Sequence, residues 1–367
     1  MQILQVLPHL SKGGAERVVI ELSNALIEAG HQVTLLLTFP VDAALNQQNL
    51  DKRIKVQFAS PNPTNRFLAY LKLPLFVARY WKVFRKYDVI HCHLTYGLVF
   101  GFFISFFRKI TRVRNLRLIA TCHMVGTGVS RNTRIFNERL SYFFDVFVLM
   151  AQDAQWRNFI SAKKRANFKI VANGISAKMW MKNKLERSNN KSSWTVGTIS
   201  RLQAERKPWL FLEVFSQVYK SSNCEVRFIL GGEGPERESL VALSGKLKLS
   251  GNLSMPGLVM DPSVILEDLD LYVGLNVEEV TGIAGLEAVF SGVPVLSIQL
   301  SQTYTKGEND WIWSDQDPKI VAGKIVSLLD NPKKLAEVAK EQYRVAAHEY
   351  SIERMRDSYL NLYTSEK

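Results

Sequence analysis

The stretch LDLYVGLNVEEVTGIAGLEAVFSGVPVLSI, residues 269–298, decides the fold. It begins with a short apolar run, passes through a turn that contains Gly282, continues as the segment IAGLEAVF and ends with the apolar run VPVLSI. This order predicts a strand, a crossover helix and a second strand, which is the repeating unit of a parallel sheet. Two carboxylates, Glu279 and Glu287, flank the turn and make it a candidate binding site.

The same alternation of short apolar runs and longer amphipathic segments continues along most of the chain. It lapses in the polar segment 176–193, which lacks a sustained apolar stripe and predicts a linker. Two successive parallel α/β domains are therefore expected, 1–175 and 176–345, with a C-terminal helix at 346–367 that packs back toward the first domain. The predicted strands are ILQVL, QVTLLLT, IKVQFA, DVIHCH, LRLIATC, VFVLM and FKIVA in the first domain, and WTVGTIS, EVRFILGG, GNLSMPG, LDLYVGL and VPVLSI in the second.

The composition is that of an ordinary globular protein, since 47% of the 367 residues are hydrophobic and 22% are charged. MQILQVLPHL has no basic leader segment and predicts a first strand rather than a signal peptide, so a cytosolic location is expected. The longest apolar run, residues 97–107, is too short to span a bilayer. The cysteines lie in strand-like runs without disulfide or metal spacing and are expected to be buried thiols: Cys92, Cys122 and Cys224.

Positive charge is concentrated in the first half of the chain. Residues 1–175 contain 24 Lys and Arg against 9 Asp and Glu, a net charge of +15, whereas the whole chain contains 47 and 34, which leaves 23 against 25 for the remainder. This asymmetry predicts an anionic partner for the first domain, either a membrane surface or a nucleic acid.

Two segments supply much of this charge, residues 66–87 with six basic and no acidic residues and residues 108–117 with five basic residues. In the first segment the cations are interleaved with aromatic residues, which favours an anionic membrane surface. The alternative is a core helix with a solvated basic face. The aromatic residues are Tyr80, Trp81, Phe84 and Tyr87.

Ligands of open parallel sheets bind beyond the carboxyl ends of the strands, so candidate residues are sought directly after each strand. In the first domain, Gly13 and Gly14 follow the first strand and leave unpaired N–H groups at a helix start. Their spacing is not the G-x-G-x-x-G of a dinucleotide site. His123 follows the strand LRLIATC and is placed best among the histidines for ligand contact, whereas His91 and His93 are candidates for structural roles.

In the second domain, Arg201, Arg206 and Lys207 follow the strand WTVGTIS and precede a helix. Cations beside a helix N-terminus suit a diphosphate, because the side chains and the positive helix end act on the same charge. The alternative is a solvated basic turn. The strand EVRFILGG leads into further glycines, and Gly232 serves either a ligand contact or a structural turn.

The turn at Gly282, like the turn after WTVGTIS, lies at the positive N-terminal end of a predicted helix. The glycine can expose backbone N–H groups, and the helix that begins near Ile283 points its positive end at the turn, so an anion fits there. Glu287 lies one turn into this helix and Glu279 precedes the turn, and both can accept hydrogen bonds from hydroxyl groups. A nucleotide sugar presents both a diphosphate and hydroxyls.

In this order and spacing, the motifs resemble those of the retaining glycosyltransferases of family 4, also called group 1, which have the two-domain fold named GT-B. The resemblance covers nearly the whole chain. It depends on GGAE at 13–16, the NG of VANGI, Arg201-x(5)-Lys207, GGEGPE at 231–236 and Glu279-x(7)-Glu287. It implies two Rossmann-like parallel α/β domains that face each other across a deep cleft, the first on the acceptor and membrane side and the second binding the nucleotide sugar.

The resemblance also implies roles for individual residues. Cations stabilise the leaving diphosphate, and glutamates bind ribose and donor-sugar hydroxyls. No metal or other cofactor is needed, in agreement with the absence of an obvious D-x-D metal motif in a strand–loop setting. The implied catalytic residues are Arg201, Lys207, Glu279 and His123, and the implied donor-binding residues are Gly13, Gly14, Arg206, Gly232, Gly282, Ile283 and Glu287. Relatives usually have Gly-Phe where this chain has Val280 and Thr281, which bears on donor preference.

The implied function is retaining transfer of a hexose-type sugar from a nucleoside diphosphate, usually UDP, to a hydroxyl of a glycan or glycolipid acceptor in surface polysaccharide or lipopolysaccharide biosynthesis. The expected location is the cytoplasm, with peripheral attachment to the inner face of an anionic membrane. Three alternatives stay open: a sugar-nucleotide epimerase or phosphorylase on a similar fold, a catalytically silent membrane-associated member, and a nucleic-acid-binding protein. The last is suggested by the pI of about 9.5, but no nucleic-acid module is recognised and nucleic acid is not an expected partner.

Overall fold

A computed structural model describes residues 1–10, 13–38, 49–59, 66–123, 130–150, 167–177, 193–276, 282–299, 312–314 and 316–365. The chain forms two compact units. The first contains residues 1–174 and 352–367, and the second contains residues 175–351.

The first unit is built on a parallel sheet in the order β3-β2-β1-β4-β5-β6-β7, and every strand predicted for this half of the chain is present. Its strands are β1 Gln2–Leu7, β2 Gln32–Leu37, β3 Lys55–Phe58, β4 Val89–His93, β5 Arg117–Cys122, β6 Val146–Leu149 and β7 Phe168–Ile170. The intervening helices are α1 Gly14–Glu28, α2 Arg66–Phe84, α3 Leu94–Ile110 and α4 Arg131–Ser141.

Helix α2 has one buried and one exposed face. Leu73, Val77, Trp81 and Phe84 are buried at spacings of four, four and three residues, and the Phe84 ring meets Phe100 of α3 edge-on at 5.3 Å. Trp81 and Phe84, expected from the sequence at a membrane surface, therefore belong to the core of the first unit, because this face of the helix packs against α3. Tyr80 is exposed.

The second unit repeats the arrangement, with a parallel sheet in the order β10-β9-β8-β11-β12-β13. Its strands are β8 Ser193–Ile199, β9 Glu225–Gly231, β10 Leu253–Gly257, β11 Leu271–Asn276, β12 Val295–Gln299 and β13 Ile312–Ser314. Its helices are α5 Trp209–Ser221, α6 Arg237–Lys246, α7 Pro262–Asp268, α8 Ile283–Phe290, α9 Pro318–Leu329 and α10 Pro332–Glu349. The edge strand β13 was not predicted, since three residues are too few for a recognisable apolar run.

One of the three cysteines departs from the sequence expectation. Cys92 and Cys122 are buried in β4 and β5, but Cys224 is exposed. It lies in the turn before β9 rather than in the strand, and its backbone N–H and carbonyl are both hydrogen-bonded to the Ser222 hydroxyl. Cys224 is therefore exposed because it belongs to the turn with Ser222 and not to the apolar strand that follows.

The last helix, α11 Ile352–Thr364, belongs to the first unit. Tyr359 and Tyr363 are buried, and Arg117 at the start of β5 donates hydrogen bonds to the Leu362 carbonyl (3.3 Å) and the Ser365 hydroxyl (2.9 Å). Within the described residues, no helix is both long and apolar enough to cross a membrane.

The strand order reverses direction at one point in each sheet, between β1 and β4 and between β8 and β11. Open parallel sheets form their binding crevices at such switch points, beyond the carboxyl ends of the strands. The segments after β1 and β4, and after β8 and β11, are therefore where the structure places candidate sites.

Candidate functional site

In the second unit, the turn between β8 and α5 carries three cations. Arg201 is exposed, while Arg206 ends a single 3₁₀ turn (Ala204–Arg206) and is partly buried. Burial lowers the pKa of the Arg206 guanidinium, and the neighbouring Arg201 charge lowers it further. The two guanidinium charges therefore repel each other, and an anionic ligand would relieve that repulsion.

Lys207 follows directly and has a left-handed backbone, with φ of 45° and ψ of 50°. This conformation is uncommon for a residue other than glycine, and such residues cluster at functional sites. The Lys207 ammonium donates a hydrogen bond to Gln316 Oε1 at 2.9 Å. One of the three N–H groups of the Lys207 ammonium is thus used in a hydrogen bond within the protein.

Glu287 faces the same region from α8. Its side chain is 5% exposed. Tyr272 of β11 connects it to the cations, because burial raises the pKa of this phenol, the Glu287 charge raises it further, and the Arg206 charge acts in the opposite direction. The Tyr272 hydroxyl donates to the Ile199 carbonyl at 3.0 Å, at the end of β8. The structure therefore brings Arg206 and Glu287 within electrostatic range of one buried hydroxyl.

Gly282 caps the N-terminus of α8 with an extended backbone and accepts the Leu286 N–H at 3.1 Å. Gly282 has no side chain with which to cap this helix end. The N–H groups of the first turn, beginning at Ile283, therefore lack intrahelical acceptors and can bind an anion. A Cβ atom at Gly282 would meet nothing within 4 Å, so the described part of the protein does not itself require glycine here.

Gly232 and Gly234 differ in this respect. A Cβ atom at Gly232, where φ is +135°, would lie 1.8 Å from the Ser200 carbonyl oxygen, and one at Gly234 would lie 2.2 Å from the Leu202 carbonyl oxygen. The loops after β8 and β9 approach each other backbone to backbone, and the Leu202 N–H donates to the Glu233 carbonyl at 2.9 Å. The absence of a side chain at Gly232 and Gly234 thus allows the close approach that positions the cation-bearing turn.

Glu279, Val280 and Thr281 lie outside the described residues.

In the first unit, Gly13 caps α1 and Gly14 is its first residue. A Cβ atom at Gly13 would lie 2.1 Å from a Glu16 carboxylate oxygen, so the glycine makes room for that carboxylate. Glu16 is 6% exposed, and its other oxygen lies 3.3 Å from His9 Nδ1. This buried acid stands at the switch point of the first sheet.

His123, just after β5, lies at the end of a line of buried polar groups. Burial lowers its pKa to about 4, and the Glu16 charge acts in the opposite direction. Its Nε2 lies 2.9 Å from His93 Nδ1, and His93 Nε2 lies 2.6 Å from Gln5 Oε1. His91 is separate, bonded to the Tyr363 and Thr121 hydroxyls at 2.8 and 2.7 Å. The structural role considered for His91 and His93 fits these contacts.

Three residues of these sites escaped the sequence reasoning: Gln5, Glu16 and Tyr272. Gln5 is the polar residue within the otherwise apolar strand ILQVL, and it is fully buried. A buried polar side chain is expected to have hydrogen-bond partners, but the alternation of strands and helices does not reveal which residues they are. Glu16 is part of GGAE, but its electrostatic interaction with His123 depends on β5 reaching the same sheet edge. Among the described residues, no group of three His, Cys, Asp or Glu side chains could hold a metal ion.

The fold and the switch point of the second sheet define a protein of two parallel α/β units with a turn that carries three cationic side chains. Two family models match the chain, Glycosyltransferase Family 4 over residues 12–177 and Glycosyl transferases group 1 over residues 181–345. The chain belongs to the group 1 glycosyltransferases and has the GT-B fold, as the sequence motifs predicted.

Individual relatives agree with this assignment. A poly(ribitol-phosphate) alpha-N-acetylglucosaminyltransferase of Staphylococcus aureus is 28% identical over 174 residues, which is 46% of this chain and only 35% of that relative. Anabaena HepE in complex with UDP and glucose has a TM-score of 0.80 at 17% identity, with 100% of both chains covered. A variant of S. aureus TarM in complex with Fondaparinux, alpha-GlcNAc-glycerol and UDP has a TM-score of 0.70 at 14% identity, covering 99% of this chain and 100% of that one.

Proposed function

We propose that this protein is a retaining glycosyltransferase that moves a hexose-type sugar from a UDP-linked donor to a hydroxyl group of a glycan or glycolipid acceptor. The observation that carries the proposal is the convergence at the second switch point. Arg201, Arg206 and Lys207 follow β8, and the N-terminus of α8, with Gly282 at its N-cap, follows β11. Bacterial-type surface polysaccharide or lipopolysaccharide biosynthesis is the proposed context.

The chemistry follows from where charge develops. Breaking the bond between the anomeric carbon and the nucleoside diphosphate places negative charge on the leaving phosphate. Fixed cations and helix N–H groups that already face this position lower the barrier without reorganising during the reaction. Arg206 is partly buried, so its charge is less screened by water than that of exposed Arg201. We assign Lys207 to the same phosphate, because Gln316 holds its ammonium near the turn.

Glu287 has a complementary role. A buried carboxylate next to a diphosphate would be unfavourable on its own, since both are anions. Hydroxyl groups on the same ligand resolve the conflict by donating hydrogen bonds to the carboxylate, and the ribose of a nucleotide has two of them. A role for Glu279 at the donor sugar remains part of the proposal, based on the motif.

The relatives support UDP as the carrier. Both solved structures named above were determined with UDP, and one of them also contains glucose. The curated relative is named for transfer of N-acetylglucosamine. UDP-glucose and UDP-N-acetylglucosamine are therefore the first donors to test.

Attachment to an anionic membrane surface is the second part of the proposal. The outer face of α2 carries exposed Leu71 and Leu75, followed on the same stripe by exposed Arg79 and Lys82, and exposed Lys86 lies in the turn after the helix. Phe106, Lys109 and Ile110 are also exposed, at the end of α3. Exposed leucines next to cations suit the boundary between acyl chains and anionic head groups. An inner-leaflet location in the cytoplasm is the corresponding proposal for localisation.

The catalytic proposal is tested by incubating the protein with UDP-glucose or UDP-N-acetylglucosamine and a panel of glycan and lipid-linked acceptors. The expected result is acceptor-dependent release of UDP and a product whose anomeric configuration by NMR matches that of the donor. A change in the sugar nucleotide without any acceptor would favour an epimerase, and phosphate-dependent cleavage would favour a phosphorylase. Stabilisation of the native protein by UDP without turnover would favour a silent member.

The membrane proposal is tested by sedimentation with vesicles of phosphatidylcholine and phosphatidylglycerol at low salt. Wild-type protein should sediment with the anionic vesicles, and Leu75→Glu should sediment less. Val264→Glu is the matched control, because Val264 is comparably exposed (64% against 74%) but lies in the second unit. Equal sedimentation of the two variants, or binding to oligonucleotides but not to vesicles, would contradict the proposal.

A further inference from the structure

A line of hydrogen bonds crosses the first sheet and ends at one nitrogen atom of His123. Gln5 Nε2 donates to the Tyr363 hydroxyl at 3.4 Å, Gln5 Oε1 lies 2.6 Å from His93 Nε2, and His93 Nδ1 lies 2.9 Å from His123 Nε2. Gln5 is fully buried and His93 is 1% exposed. The other nitrogen, His123 Nδ1, is buried and has no hydrogen-bond partner within the described part of the chain.

The chemistry of the groups sets the direction of this line. A carbonyl oxygen only accepts, so His93 Nε2 must carry the proton that it donates to Gln5 Oε1. A neutral imidazole carries one N–H, which makes His93 Nδ1 an acceptor and requires His123 Nε2 to be the donor. Burial lowers the pKa of both histidines, that of His123 to about 4, so both are neutral at neutral pH. His123 Nδ1 is then a bare acceptor.

We propose that Gln5 and His93 are positioning residues that hold His123 in its Nε2–H tautomer, so that the free Nδ1 accepts a hydrogen bond from a substrate hydroxyl group. The identity of that hydroxyl as part of a sugar rests on the proposed function, whereas the tautomer does not. A buried acceptor without a partner is costly, and a ligand O–H removes the cost while an ether oxygen or a deoxy carbon does not. The line thus makes the site selective for a hydroxyl donor.

The C-terminal helix α11 supplies a matched pair of variants. The Tyr363 hydroxyl accepts the hydrogen bond that orients the Gln5 amide, and it also lies 2.8 Å from His91 Nδ1. Tyr359 is buried on the same helix, but its hydroxyl bonds Thr121 Oγ1 at 3.0 Å and does not contact Gln5, His93 or His123. Tyr363→Phe and Tyr359→Phe each remove a single buried hydroxyl, and only the first releases the Gln5 amide.

The test reads the tautomer directly, from two-bond ¹H–¹⁵N spectra of protein labelled at its histidines. In wild type, His123 should show an unprotonated Nδ1 and a protonated Nε2. Tyr363→Phe should shift these signals toward a mixture of tautomers, and Gln5→Met should do so more strongly, while Tyr359→Phe leaves them unchanged. A protonated Nδ1 in wild type, or the same response to both tyrosine variants, would overturn the proposal.

Substrate recognition is read in the same spectra. Saturating UDP-glucose should move the His123 Nδ1 resonance, as expected for an acceptor that gains a hydrogen bond, and UDP alone should not. With transfer activity as the readout, Tyr363→Phe should lower kcat/KM roughly tenfold, the value of one hydrogen bond to a buried group, and Tyr359→Phe should leave it unchanged. If His123 has the predicted tautomer but the protein turns over no nucleotide sugar, the proposed function is contradicted and the positioning role of Gln5 and His93 is upheld. A resonance that does not respond to bound UDP-glucose would overturn the role in recognition.

Discussion

The two units share a parallel strand order but have opposite chemistry at their switch points. In the first unit, the neutral imidazoles of His93 and His123 are hydrogen-bonded to each other and His93 also to the Gln5 amide, while His91 is bonded to two hydroxyl groups. In the second unit, the corresponding position holds the charged groups Arg206 and Lys207. The comparison teaches that the sheet order decides where a site forms, while the residues after each strand decide whether that site is a neutral hydrogen-bonding surface or a cationic one.

The largest expected difference between the units is in their response to acid. Folding lowers the pKa of His91, His93 and His123, so below pH 6.5 the unfolded state binds protons that the folded state does not, and stability is lost as the pH falls. His123 alone, with a folded pKa of about 4, contributes a loss of about 2 kcal/mol between pH 7 and pH 5. The other two act in the same direction.

The predicted loss of stability is checked for each unit separately by hydrogen exchange measured at pH 7 and pH 5 and corrected for its intrinsic pH dependence. Protection should fall in β1, β4 and β5 and hold in β8 and β11, because the second unit's histidine, His348, is exposed on α10. Equal loss of protection in both units would contradict the assignment of acid sensitivity to the buried imidazoles. His123→Gln should reduce the pH dependence of the first unit.

The second prediction separates glycines that the fold requires from a glycine that it does not. Gly232→Ala places a Cβ atom 1.8 Å from the Ser200 carbonyl oxygen at a φ of +135°, and should destabilise the second unit by about 3 kcal/mol or more. Gly282→Ala meets no atom within 4 Å and should cost less than about 1 kcal/mol. Denaturant unfolding of the two variants measures the difference. UDP binding should weaken in Gly282→Ala if the anion approaches its backbone closely.

The third prediction concerns Lys207. Lys207→Ala should lower kcat for sugar transfer roughly 100-fold, because it removes one fixed charge from the position of the leaving phosphate. Lys220→Ala is the matched control, since Lys220 lies at the opposite end of α5 and is exposed. Steady-state kinetics of both variants, together with their melting temperatures, provide the measurement. Loss of activity in both, or in neither, would remove Lys207 from the proposed diphosphate site.

The smallest effect is expected at Arg201, whose side chain is exposed and screened by solvent. Arg201→Ala should weaken UDP binding roughly tenfold at low salt and by less at physiological salt, as expected of an exposed charge. Calorimetric titration with UDP at two ionic strengths tests this. A salt-independent loss would mean that Arg201 is buried when the ligand is bound.

Much of this arrangement was predictable from local pattern. The alternation of apolar runs and helical segments predicted the strands β1–β12, and the residues after those strands included the cations and Gly282 of the second unit. The pattern failed where contact across the fold decided the outcome. Trp81 and Phe84 alternate with basic residues along the chain but share the buried face of α2 with Leu73 and Val77.

By itself, the sequence determined the class of fold, the family and the segments that carry the candidate site, because these depend on short-range periodicity and on motifs with fixed spacing. Only the tertiary structure decided what Gln5, Glu16 and Gly232 do. Gln5 meets His93 because β1 and β4 are neighbours in the sheet although 88 residues separate the two side chains, and Gly232 is required by a carbonyl of the loop after a different strand. Such roles depend on which strands become neighbours, and no local stretch of sequence contains that information.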